Sequence, residues 1–180
     1  MSEFLLELYS EEIPPKLQIY ARKELEEKFK KFFQEEGLSY KSLFSYSSPT
    51  RLVVVAREMP DKIKIQAKEI KGPKVGVYQD ILNSFMRAHS VSKKDVIEKE
   101  TEKGKFYFIK TRPRESLTSD ILIKVTLNSI ASINWKKSMK WSNKSLIWGR
   151  PLRSILAVFK KNTLQFNYGH LKSKNLVIID

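Results

Sequence analysis

The sequence predicts an α+β fold of mixed, largely antiparallel sheets, with hairpins packed against a long N-terminal amphipathic helix and two shorter helices. Three observations lead there. Apolar runs follow the order β-α-β-β-β-α-β-β-α-β-β, which mixes neighbouring strands with helices instead of alternating the two. Short turn-forming segments separate several strand pairs, as hairpins require. Apolar residues make up 41% of the 180 and aromatics 11%, enough to build a core. No internal repeat, low-complexity tract or clear linker is present, so residues 1–180 are expected to form one region, with a weak sub-boundary near 72–78.

Phe4-Leu5-Leu6-Glu7-Leu8-Tyr9 reads as a strand. Pro14-Pro15 suits the first turn of a helix, where a missing N–H costs nothing. Leu17, Ala21, Leu25, Phe29, Phe32 and Phe33 then recur at three- and four-residue steps, with Glu24–Lys28, Glu26–Lys30 and Glu27–Lys31 pairable on the opposite face. Gly37 ends this helix. Glu11 and Glu12 precede it and are expected to favour its N-terminal dipole rather than act as an acid/base pair.

Tyr40–Tyr46 and Arg51–Arg57 read as strands joined by Ser47-Ser48-Pro49-Thr50; the β-branched Leu52–Ala56 run suits a central position. Arg51 stands at that strand's mouth, where it can meet a phosphate or simply solvate the strand end. Met59–Val77 predicts a strand, then a turn at Gly72-Pro73. Neither a GxxxxGK[ST] nor a GxGxxG pattern occurs there, so no nucleotide loop is expected. Tyr78–Ala88 predicts a short helix with Ile81, Leu82 and Phe85 on one face, ended by Ser90-Val91-Ser92, with His89 at its end as a C-terminal dipole partner rather than a ligand. Val96–Thr101 and Lys105–Thr111 flank Glu102-Lys103-Gly104 as a hairpin, with Phe106 and Phe108 on one side and Tyr107 and Ile109 on the other. Arg112-Pro113-Arg114 breaks the strand. Ser116 or Thr118 then caps a helix carrying Leu117, Ile121, Val125, Leu127, Ile130 and Ile133.

That helix feeds into Lys136–Phe159, KKSMKWSNKSLIWGRPLRSILAVF, which sets two Trp and six cations before a buried-looking strand. Gly149, with its backbone freedom, and Pro151, with its fixed φ, predict a bend at its entrance. Lys160–Thr163 closes the strand. Leu164–Tyr168 is expected to return beside it, and Leu176–Ile179 is a last short apolar run.

The net charge is +14, and it is unevenly spread. Residues 1–36 sum to −3, so the remainder sums to +17; between Asp120 and Asp180 stand eleven Lys or Arg and no acid. Such a stretch suits an anionic partner, nucleic acid above all, or else is a solvated face written in Lys by a biased genome. Trp135, Trp141 and Trp148 among Lys136, Lys137, Lys140, Lys144, Arg150 and Arg153 can stack bases, or pack as core and rim. Zero Cys and two distant His exclude thiolate chemistry and support no metal site. No nucleophile–base pair is recognisable. With no run of eighteen apolar residues, a cytoplasmic location is expected.

Four blocks, in order, carry a resemblance. Leu6-Glu7-Leu8-Tyr9-Ser10-Glu11-Glu12-Ile13-Pro14-Pro15-Lys16, Ser48-Pro49-Thr50-Arg51-Leu52, Lys71-Gly72-Pro73, and Lys137-Ser138-Met139-Lys140-Trp141 with Arg150-Pro151-Leu152-Arg153 resemble the signatures of the β subunit of bacterial tetrameric glycyl-tRNA synthetase. The chain departs from them at Tyr9, where Gly is usual, at Gly149, where an apolar residue is usual, and at Ser154, where Trp is usual.

The resemblance implies an N-terminal piece of a larger subunit, partnered with a separate α subunit in an α2β2 tetramer that attaches glycine to its tRNA. ATP and magnesium would serve the complex, with the adenylation site on the α subunit and no cofactor or catalytic residue in this piece. Candidate tRNA contacts are Arg51, Lys136, Lys137, Lys140, Trp141, Arg150 and Arg153. Two other readings stand beside it: a scaffold that docks the α subunit or other β domains without touching tRNA, and an unrelated basic RNA-binding module.

Overall fold

The computed structural model describes residues 2–65, 69–89, 91–110, 113–136, 138–141 and 146–178. The chain divides into two compact units, one formed by Met1–Ile63 with Ser116–Asp180 and the other by Lys64–Glu115. It is an α+β fold, with three α-helices among the described residues and mainly antiparallel pairing.

The first unit opens with β1 (Phe4–Ser10), α1 (Pro15–Glu36), β2 (Ser42–Ser47), β3 (Arg51–Arg57) and the start of β4 (Lys62–Ile65). The second contains β5 (Glu69–Lys74), α2 (Gln79–Ala88), a short 3-10 turn, β6 (Val96–Thr101) and β7 (Gly104–Lys110). The chain returns through β8 (Arg114–Leu117) to α3 (Thr118–Ala131), β9 (Met139–Trp141), β10 (Leu146–Trp148), β11 (Leu152–Phe159) and the two-residue strands β12 (Asn162–Thr163), β13 (Asn167–Tyr168) and β14 (Leu171–Lys172).

The first unit is organised on a five-stranded sheet in the order β12-β11-β1-β3-β2. β1 is central: Phe4, Leu6 and Leu8 face Phe159, Ala157 and Ile155 on one side and Ala56, Val54 and Leu52 on the other. Residues directly opposite in an antiparallel ladder share a face. These nine side chains are buried, and Ala21, Leu25, Phe29 and Phe33 of α1 are fully buried with them. Phe4, Phe29 and Phe33 form a ring chain at 5.8 and 5.5 Å. α1 contacts β2, β3 and α3.

α1 begins as expected, with Pro at the first turn, and ends at Gly37 in the left-handed region (φ 69°). Its other face carries the ion pairs Glu26–Lys30 (2.5 Å) and Glu24–Lys28 (4.0 Å), while Lys31 lies 3.8 Å from Glu35. α3 differs from its expectation. No side chain caps it; the Thr118 hydroxyl instead donates to the Pro60 carbonyl (2.6 Å). Gly72 and Pro73 also differ, lying inside β5, where the two residues oppose the single Tyr107 of β7 as a bulge. A bulge accommodates Pro within a ladder. Beyond β11 the chain turns through Lys160 and Lys161, both at positive φ, into β12. Leu176, Val177 and Ile178 form no strand and are exposed.

Among the described residues no helix is long and apolar enough to cross a membrane.

Candidate nucleic-acid interface

Three loops of the first unit converge at one end of the five-stranded sheet. The segment leaving β1 is tied to the β2–β3 turn by Ser10 N–H to the Thr50 carbonyl (2.8 Å) and Ile13 N–H to the Pro49 carbonyl (2.6 Å). The same segment is tied to the entrance of β11 by Glu11 N–H to the Pro151 carbonyl (3.0 Å). Three sequence blocks that lie far apart in the chain, Ser10–Pro15, Pro49–Arg51 and Arg150–Arg153, are thus joined backbone to backbone. Pro49 and Pro151 lack an N–H and take part through their carbonyls, and the β1 exit supplies the donors from Ser10, Glu11 and Ile13.

The cations of this cluster are not bare. Arg51 leaves the solvent-side face of β3; its guanidinium lies 4.8 Å from the Tyr9 ring centroid and 3.6 Å from the Glu7 carboxylate, and it also donates to Thr50 Oγ1 and to the Ile178 carbonyl. Glu7 and Tyr9 are two apart on β1, so both point to that face. Arg153 is the extra residue of a β-bulge, since Tyr9 opposes Ser154 and Ser10 opposes Leu152. The bulge turns Arg153 outward, where it meets Glu11 at 2.5 Å. Glu11 thus holds an arginine side chain, a partner that the helix-dipole expectation did not name.

Lys136 is exposed, and its ammonium lies 4.8 Å from the centroid of the Tyr20 ring on α1. The Tyr20 phenol is held above its ordinary value of 10.0 by desolvation and then by the Glu24 and Glu27 carboxylates, so it stays neutral beneath the cation. Asn134 N–H donates to Glu24 (3.3 Å), which fixes the approach to Lys136. Lys140 and Trp141 lie in β9, their backbones opposite Ile147 and Leu146 of β10. Arg150 is half-buried at the bend. Lys137 lies outside the described residues.

The base of this basic hairpin is apolar. Trp135 and Trp148 are buried and meet edge to face at 4.8 Å, so two of the three Trp are core. Gly149 is buried beside them; a Cβ there would fall 2.3 Å from the Trp135 ring. Its φ lies outside the left-handed region, so close packing explains the glycine, not the backbone freedom expected from the sequence.

The structure therefore gathers Arg51, Arg150 and Arg153 near one loop cluster, sets Lys136 against α1, and places Lys140 and Trp141 on a hairpin. The partners Glu7, Tyr9, Glu11 and Tyr20 were missed as a set. Their only signal in the sequence was the two-residue spacing of Glu7, Tyr9 and Glu11. Among the described residues no group of three or more His, Cys, Asp or Glu side chains could hold a metal ion.

Comparison with known proteins adds the following. The family model described as "Glycyl-tRNA synthetase beta subunit" matches residues 4–179. The chain is 35% identical over 176 residues to the glycine–tRNA ligase beta subunit of Rickettsia prowazekii (strain Madrid E), covering 98% of the chain and 26% of that protein. It is 36% identical over 178 residues to the corresponding subunit of Rickettsia typhi (strain ATCC VR-144 / Wilmington), with the same coverages. It is 35% identical over 176 residues to that of Rickettsia bellii (strain OSU 85-389), covering 98% and 27%. The chain spans about a quarter of the length of these curated relatives.

Proposed function

Because the chain belongs to the glycyl-tRNA synthetase beta subunit family, we propose that it forms part of a β subunit that works in the cytoplasm with a separate α subunit. In an α2β2 assembly the two would attach glycine to its tRNA, consuming ATP with magnesium. The adenylation site belongs to the α subunit in this reading, and the present segment holds no reacting group. The match over residues 4–179 carries the proposal.

Within the assembly this segment supports the tRNA backbone through the basic stretch from Lys136 to Arg153. Two features favour that role. The stretch lies in a run of eleven cations without an acid, and its hairpin rises from a buried Trp pair. Phosphate contact on such a surface is electrostatic and tolerant of sequence. Arg153 and Arg51 already have carboxylate partners, and Lys136 is exposed, so Lys136 is tested first, together with Lys140 of β9.

The test is the affinity of the chain for glycine tRNA and for a non-cognate tRNA as salt is raised. K136E/K140E is expected to weaken both alike and to lower the slope of log affinity against log salt by about one per lost phosphate contact. Unchanged affinity and slope would remove tRNA support from this stretch. The scaffold reading would then gain, and one observation favours it: Leu5, Phe44 and Tyr46 lie exposed on the solvent-side face of the five-stranded sheet.

A further inference from the structure

The second unit, Lys64–Glu115, carries none of the candidate tRNA-contact residues. It has thirteen Lys or Arg against seven Asp or Glu. Its sheet runs β5-β7-β6, with β7 in the middle. α2 packs on β5, with Phe85 against Gly72, and Ile109 of β7 is fully buried. The opposite face of β7 carries Phe106 and Phe108, two residues apart and therefore on one side. Both rings are half-buried.

Cations surround these rings. Lys74 and Lys99 stand directly opposite Phe106, and Lys71 and Ile97 directly opposite Phe108. Lys71 reaches diagonally, its ammonium 3.6 Å from the Phe106 centroid, an approach possible only over the ring face. Lys99 lies 5.8 Å from the Phe108 centroid and pairs at 2.6 Å with Glu69 on the far strand. Ile97 is 37% exposed beside Phe108. The face thus offers two aromatic surfaces on a central strand, about 6.8 Å apart at 3.4 Å per residue. Long, flexible lysines lie on the rings and at their rims.

We propose that this face of β5-β7-β6 binds unpaired RNA nucleotides, which stack on Phe106 and Phe108 while Lys71 and Lys74 take the phosphates. The chemistry selects the occupant. An ammonium lying on a ring marks a π face that a positive group already favours, and it is displaced at little cost because its new partner is a phosphate. A duplex hides its base faces, whereas an unpaired strand can give one base to each ring and its phosphates to Lys71 and Lys74. A protein partner would need a broader apolar patch than two rings and Ile97. Glu69 is the one carboxylate that the described contacts place on this face, and Lys99 neutralises it. That the strand is RNA rests on the family reading above; the stacking and the charge do not.

The test uses the 180-residue chain and a fluorescent single-stranded RNA of about eight nucleotides, a length suited to a small single-strand module. The parent is expected to bind it more tightly than the same sequence in duplex form. F106L/F108L keeps apolar bulk and removes both π faces; it is expected to weaken the single strand about tenfold or more. K71Q/K74Q is expected to flatten the salt dependence while keeping the preference for single strands. Thiouridine cross-linking of the parent chain, which needs no variant to fold, is expected to label peptide 105–110. Equal binding by F106L/F108L, equal binding of duplex, no binding at low salt, or cross-links only outside residues 69–110 would each overturn the proposal. K136E/K140E serves as the control: if it loses tRNA yet keeps the short strand, the two sites are separate, and either proposal can fail alone.

Discussion

Replacing Gly149 by alanine sets a Cβ 2.3 Å from two ring carbons of Trp135, a buried indole packed edge to face on Trp148, so the ring or the backbone must shift. G149A is expected to lose about 1–3 kcal/mol, read as a lower urea midpoint at unchanged slope. A midpoint equal to the parent's would show that the Trp135–Trp148 pair can repack. Tyr9 and Ser154 make a second case. These two departures from the family signature stand directly opposite each other on β1 and β11, so a usual Gly–Trp pair is here a Tyr–Ser pair with the bulk exchanged across the ladder. S154W alone is expected to crowd Tyr9, and Y9G alone to remove the ring beneath Arg51. Y9G/S154W is expected to recover stability, with a coupling of about 0.5–3 kcal/mol in a double-mutant cycle; strictly additive losses would mean that the sites are independent. Neither relation could be read from the chain. Cations are visible as letters, but Arg51–Glu7, Arg153–Glu11 and Lys136–Tyr20 are matters of register and approach, which local pattern does not encode.

α1 was legible from end to end because every cue agreed: Pro at the first turn, a three-to-four-residue apolar period, and Gly37 at the close. Its exposed face also makes a pH prediction. Lys30 and the Ser45 hydroxyl bond the Glu26 carboxylate and hold its pKa below the ordinary 4.5, while the same contact raises Lys30 above 10.5. Glu26 therefore contributes stability that is present above its unfolded value and lost as pH falls through its lowered folded value. Lys30 contributes stability that is present below 10.5 and lost as pH rises through its raised value. E26Q is expected to flatten the acid limb of the melting temperature against pH by a small amount, as suits a largely solvated pair. An acid limb of the parent's steepness would assign that loss to other carboxylates. Shorter elements were less legible. β9 and β10 are three residues each and too short to show a period, so the basic stretch read as an approach, not a hairpin. Pro73 read as a turn because Pro interrupts a ladder; the bulge opposite Tyr107 is what lets β5 continue. The hydroxyl expected to cap α3 is spent on Pro60, fifty-eight residues earlier.

At the scale of the molecule, the fold class followed from how helical and alternating segments are interleaved, and the basic character followed from composition. Strand order did not follow. β1 and β3 pair across one helix and one hairpin, but β11 reaches β1 from the far end of the chain, and nothing near Phe4 or Phe159 announces the other. That placement of β1 has a consequence during synthesis. A nascent chain emerging at about 5–20 residues per second can close β1 onto β3 early. The roughly one hundred further residues needed to deliver β11 take about 5–20 s more. Through that interval Phe4, Leu6 and Leu8 lack Phe159, Ala157 and Ile155, and the opposite edge of β1 stands open beside an apolar surface. A ribosome stalled between Arg57 and Leu152 would therefore hold out a sticky half-sheet, and a chaperone that covers strand edges would find its client there before the last strand arrives.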